Sequence, residues 1–183
     1  MSSLQILINR LPKYSQNLGI ELKNLSVCHC NLTPEQFSGA ILSIAYAIEN
    51  ERLLNYIKAY SKTIIDDDLV LECKKAVVII KSLSLYTFNV KILDKSNKNK
   101  IFLVNDKKES KTKEFILFCY AASLIFKVNV LTSEYEQKII SLGFNETQLE
   151  MIYRLASVLD GIALSLFIES MGTYEFSGEL TCS

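Results

Sequence analysis

The stretch Glu114–Gln148, EFILFCYAASLIFKVNVLTSEYEQKIISLGFNETQ, decides how the chain is read. It opens on an apolar run from Phe115 to Ile125 that only Ser123 interrupts, with Lys113 and Glu114 before it and Lys127 after Phe126. The run is too short to span a bilayer, so it predicts a buried helix. Helix-like sequence continues from Glu114 to Leu131, with the β-branched Ile125, Val128 and Val130 adding strain near the end. Ser133-Glu134-Tyr135-Glu136 then reads as a capping box, which accounts for Glu134 and Glu136. Gly143 stands where a left-handed residue closes a helix, and Asn145–Gln148 is a further N-cap pattern. A helix, a break and a capped helix make a good frame for an active site.

Outward from this stretch the pattern stays helical. Leu4, Leu7, Ile8 and Leu11 share one face of a first helix over residues 3–16, which Pro12 should kink or end early. Residues 17–31 show little periodicity and read as a connector. Thr33-Pro34-Glu35-Gln36 is a strong helix start, with Thr as N-cap, Pro at the first position and Gln at the capping-box position. Phe37, Ile41, Ile44, Ala45 and Ile48 follow at helical spacing. A break at Glu49-Asn50 leads to a helix bearing Leu53, Leu54, Ile57 and Tyr60. Asp66-Asp67-Asp68 opens the next, where three carboxylates suit the positive end of a helix dipole better than they suit a cation site. On the far side, Leu149, Ile152, Leu155, Leu159, Ile162 and Leu166 line a last helix that ends near Met171-Gly172. The expected fold is all-α, a single domain over residues 1–172 with about seven helices. Residues 94–113, holding seven Lys and an IFLV island at 101–104, are expected to form a solvated loop insertion, and 173–183 a flexible tail.

Composition narrows the functional classes. Lys plus Arg and Asp plus Glu number 20 each, so nothing drives the chain toward nucleic acid or an anionic membrane. The Lys-rich loop has no Arg and no aromatic interleaving for base stacking. Hydrophobic residues make up 49%, which suggests a large core or apolar surface hidden in an oligomer. Six Gly and two Pro favour long helices over a turn-rich β fold. The start MSSLQILINRLPKY is not a secretory signal. Cys28, Cys30, Cys73, Cys119 and Cys182 lack the spacing of a disulfide framework, and a reducing cytoplasm suits them.

Several stretches together resemble the alkylhydroperoxidase D (AhpD) family, which includes carboxymuconolactone decarboxylase-like proteins. Leu11-Pro12-Lys13-Tyr14 is similar to that family's L-P-x-Y. Leu32-Thr33-Pro34-Glu35-Gln36-Phe37 with Gly39 is similar to its L-x-x-E-Q-x-x-G helix start. Leu142-Gly143-Phe144 and Asp160-Gly161-Ile162-Ala163 resemble its last two helices. The resemblance covers residues 3–171 apart from the Lys-rich loop. It implies a helical homo-oligomer, a trimer or a higher assembly. It also implies an activity resting on E-x11-C-x2-C-x3-H, in which two cysteines cycle between dithiol and disulfide while Glu and His move protons. Such chemistry needs sulfurs one helical turn apart and a base beside them, because only the thiolate is nucleophilic. Aligned through Gly143, the Glu position falls on Ile116, the cysteines on Val128 and Leu131, and the His on Tyr135. None matches, so no catalytic residue carries over.

Other candidates are weaker. Cys28-His29-Cys30 holds the only His and could be a relocated redox pair or half of a metal site. However, adjacent spacing suits neither an intramolecular disulfide nor a closed zinc site without further ligands. Cys119, nine residues before Val128, reads as a small core hydrophobe. Asp160, in the apolar VLDGIALSLF, could be a buried carboxylate at a pocket, or an ordinary polar group beside Tyr153 and Ser157. No metal site and no cofactor is implied. The sequence therefore points to a catalytically degenerate AhpD-like protein that binds or scaffolds as a cytoplasmic homo-oligomer, with a protein or small apolar ligand as partner and no nucleic acid or membrane. An antioxidant hydroperoxidase using relocated cysteines is the alternative. A secreted interaction protein contacting its target through the Lys-rich loop is the third reading.

Overall fold

The computed structural model describes residues 2–28, 31–93 and 112–172. Among these are eight α-helices and no strand: α1 (Ser3–Asn9), α2 (Gln16–Cys28), α3 (Pro34–Ile48), α4 (Glu51–Ser61), α5 (Asp67–Leu93), α6 (Lys113–Phe126), α7 (Asn129–Ser141) and α8 (Glu146–Gly172). A 3-10 turn over Lys13–Ser15 links α1 to α2. The all-α expectation holds. The Lys-rich residues 94–111 with the IFLV island, and the tail 173–183, lie outside the described residues, while Thr112 and Lys113 belong to the start of α6.

Three starts are built as the residues foretell. Thr33 accepts from the Gln36 amide while the Gln36 side chain accepts from the Thr33 amide, and Pro34 fills a position whose amide would be unpaired anyway. Asn145 and Gln148 exchange the same pair of bonds at the head of α8. The Asp66 carboxylate caps α5 by accepting from the Leu69 amide at 2.9 Å, with Asp67 and Asp68 in the first turn. The Glu49-Asn50 break is real: Glu49 turns left-handed (φ 62°) and Asn50 caps α4. Gly143 is left-handed at φ 88°.

Two expectations need correction. Residues 17–31 are not a connector, because most of them form α2. Leu22 and Leu25 are buried, Leu18 packs beside them, and Gly19 lets Ile8 and Leu11 approach to 3.0 Å of where a Cβ would stand. Tertiary packing carries a helix whose own periodicity is weak. The first helix stops at Asn9, and Pro12 starts the 3-10 turn.

The second correction falls in the central stretch. The helix does not run to Leu131. It ends at Phe126, Lys127 turns left-handed (φ 55°), and Val128, in extended conformation, is the N-cap of α7. The apolar run that needs burial ends there, and three β-branched residues disfavour continuing the helix. Ser133 is therefore inside α7 and not its cap. Glu134, expected to cap, instead pairs with Lys138 one turn on, at 2.6 Å.

The core is centred on α3 and α6. Every residue of α6 from Phe115 to Ser123 is buried, which is how a helix apolar on all sides is satisfied. It crosses α3 where Gly39 receives the ring of Phe118. On this pair α5 packs from one side and α8 from the other, with α7 folded back against α6. Along α8, Gly161 meets Leu18, the buried Ser15 and Ser165 hydroxyls pair at 2.8 Å, and the Asn50 amide donates to the Ala163 carbonyl at 3.0 Å. Among the described residues, α8 is the one helix long and apolar enough to cross a membrane, and 56% of that window is buried in the bundle, as befits a core helix.

Candidate functional site

The four positions that the resemblance assigns to the motif lie on α6, the break and α7. Ile116 is on the second turn of α6 and Leu131 and Tyr135 are on α7, all three buried. Val128 occupies the N-cap of α7, where no side chain caps the first turn. Residues 128, 131 and 135 recur at the three- and four-residue spacing that aligns side chains along one helix face. A sulfur at the head of a helix feels unpaired amides and the positive end of the dipole, which lowers a thiol pKa and generates the thiolate. The backbone thus offers what a nucleophilic cysteine pair needs. The side chains present are hydrocarbon and phenol.

The break is held from both sides. The Thr132 hydroxyl lies 3.4 Å from the Ser123 carbonyl on α6 and 3.4 Å from that of Val128. The Lys127 ammonium reaches Asp160 of α8 at 3.6 Å. The Lys138 ammonium sits over the Tyr135 ring, 4.8 Å from its centre. Thr132, Ser123 and Lys127 were not legible as a joint, because their bonds form only once the helix breaks at residue 127.

The other candidates do not converge on this place as an active group. Asp160 is not a buried carboxylate: its side chain is 49% exposed and faces Lys127. Cys119 is completely buried within α6. Cys28 is the exposed last residue of α2, while His29 and Cys30 lie outside the described residues. Among the described residues no three His, Cys, Asp or Glu side chains are grouped as a metal would require.

Two buried acids mark the character of the interior. Burial pushes the Cys73 thiol up to about 12, although Ser43 and the backbone oppose this by hydrogen bonding, and its Sγ lies 3.4 Å from the Gly39 carbonyl. Burial also raises Tyr120, one turn after Ile116, to about 12, with the charges of Glu136 and Tyr153 adding to the effect. Neither group is a nucleophile or base near neutral pH. Tyr120, one turn after Ile116 on α6, is a further polar group that periodicity alone left unmarked.

The all-α chain is similar in sequence to AhpD proteins. The chain is 24% identical over 176 residues to the alkyl hydroperoxide reductase AhpD of Coxiella burnetii, spanning 91% of this chain and 98% of that protein. It is 25% identical over 177 residues to the protein of the same name from Maricaulis maris, and 25% over 171 residues to that of an Anaeromyxobacter species. These cover 92% and 91% of this chain, and 99% and 91% of the respective relatives. No family model matches. Similarity to three such proteins over nine-tenths of the chain makes it AhpD-like.

Proposed function

We propose that the chain is a catalytically degenerate AhpD-like protein, a cytoplasmic homo-oligomer that binds or scaffolds and does not turn over hydroperoxides. The observation that carries this is Val128 at the head of α7 with Leu131 one turn on. Reduction of a hydroperoxide by a dithiol needs a thiolate to attack the O–O bond and a second thiol to close the disulfide. It also needs a group to protonate the departing alkoxide. With hydrocarbon at both sulfur positions, Ile116 for the carboxylate and Tyr135 for the imidazole, none of these steps has an agent. Burial of Ile116, Leu131 and Tyr135 supports their use as packing, and so favours partner contacts over thiol chemistry.

Relocated cysteines are the rival. Cys73 and Cys119 are completely buried, and Cys73 is held protonated, so neither is suited to attack. The test is hydroperoxide consumption by the full chain, coupled to a dithiol reductant. The expected result is no turnover above the uncatalysed rate. Turnover that disappears in Cys28→Ser/Cys30→Ser or in Cys119→Ser would overturn the proposal.

A further inference from the structure

Helix α7 is fastened to the molecule along one narrow stripe. Of its 13 residues only Leu131, Tyr135 and Ile139 are buried, each one turn from the next on a single face. The helix packs on α6 and, more lightly, on α5. A left-handed turn stands at each end, Lys127 at φ 55° before it and Gly143 at φ 88° after it. Beyond both turns the chain is fixed, by the buried run of α6 on one side and by Phe144 with the Asn145–Gln148 cap on the other. A Cβ on Gly143 would meet nothing within 4 Å, so that turn has room to move.

The polar closures at the first turn are weak. The two contacts of the Thr132 hydroxyl, at 3.4 Å each, are long for hydroxyl hydrogen bonds. Val128 gives the head of α7 no side-chain cap. The Lys127–Asp160 pair joins side chains that are 77% and 49% exposed, and such a pair adds little in water. A helix with few buried contacts and exposed ends belongs at the low end of a protein's range of local stabilities.

We propose that α7 is a lid, hinged at Lys127 and Gly143, that swings off α6 as a unit while the rest of the bundle stays folded. It covers the face of α6 that bears Ile116, Cys119 and Ser123. The Ser123 carbonyl meets Thr132 of α7, and residues 116, 119 and 123 recur at the three- and four-residue spacing of one helix face. Phe118 points instead to Gly39 of α3, so opening leaves the central crossing intact. With the lid down Cys119 is completely buried; with the lid up its thiol and the apolar surface around it meet solvent. Whatever binds that face does so through the open state, and its apparent affinity is reduced by the fraction open. The device is independent of whether the chain reduces hydroperoxides.

Native-state hydrogen exchange of the full chain in sub-denaturing urea tests this. The amides of Tyr135–Ile139 are expected to share one opening, at least about a hundredfold more frequent than that of the slowest amides of α3, with little dependence on urea. A second arm uses a chain carrying Cys28→Ser, Cys30→Ser and Cys182→Ser, which keeps Cys73 and Cys119 as its thiols. Under native conditions Cys119 is expected to be alkylated at least about tenfold faster than Cys73, which faces Gly39 of α3. Fraying of α7 in place would release its amides and leave Cys119 as protected as Cys73, and that result would overturn the proposal. So would exchange of the α7 amides together with those of α3, at the rate and with the urea dependence of global unfolding.

Discussion

A Cβ on Gly39 would lie 2.2 Å from the ring of Phe118, so the crossing of α3 and α6 closes at a distance only a hydrogen permits. Both residues are buried, Phe118 completely, so the ring cannot turn out to solvent. Gly39→Ala must therefore displace the buried Phe118 ring or spread the two central helices. Overpacking of this kind costs about 3 kcal/mol, against about 1 kcal/mol that Ala gains over Gly inside a helix. A net loss of about 2 kcal/mol is expected in urea denaturation.

Gly143→Ala isolates the opposite effect. Nothing stands within 4 Å of a Cβ there, but φ is 88°, a conformation L side chains rarely adopt. The expected loss is about 1 kcal/mol and is purely conformational. Gly143→Asn should recover part of it in the same experiment, since Asn tolerates left-handed backbone better than Ala.

Alkali should destabilise the fold before it charges the core. Cys73 and Tyr120 are both raised to about 12 in the folded chain from ordinary values of 9.0 and 10.0. Between the unfolded and folded values the unfolded chain binds fewer protons, so stability falls as pH rises. The contribution is whole below pH 9 and is lost progressively up to about 12. Thermal melts between pH 8 and 11 should show this slope, shallower in Cys73→Ala and in Tyr120→Phe.

The head of α7 should still act on a sulfur if one is placed there. In Val128→Cys the new thiol would stand at a helix N-cap that lacks a capping side chain. It is expected to ionise below an ordinary thiol. The rate of alkylation against pH, compared with wild type, measures it. A value at or above the ordinary one would show that this helix start does not favour a thiolate.

Much of this was legible because local chemistry and burial agree. Thr33-Pro34-Glu35-Gln36, the Glu49-Asn50 break, Gly143 and the Asn145 cap each have a backbone requirement that few residues satisfy, and each formed as read. α2 was not legible, since it is held by Leu18, Leu22 and Leu25 packing on elements distant in sequence. The end of α6 was misplaced because Lys127 is neither Gly nor Asn, the usual left-handed residues. A false capping pattern at Ser133 also drew the cap of α7 past its actual place at Val128. For the site, the four positions 116, 128, 131 and 135 rest on the resemblance aligned through Gly143. Exposure decided Asp160, which an apolar sequence neighbourhood made look buried.

The most direct test of a frame kept without its chemistry is a single-turnover one. The reduced chain is mixed with one equivalent of an organic hydroperoxide, and its intact mass and thiol content are followed. The expected result is an unchanged mass and no loss of thiols beyond that of the same chain unfolded in denaturant. Rapid loss of two hydrogens, with a disulfide mapped between any two of the five cysteines, would contradict it.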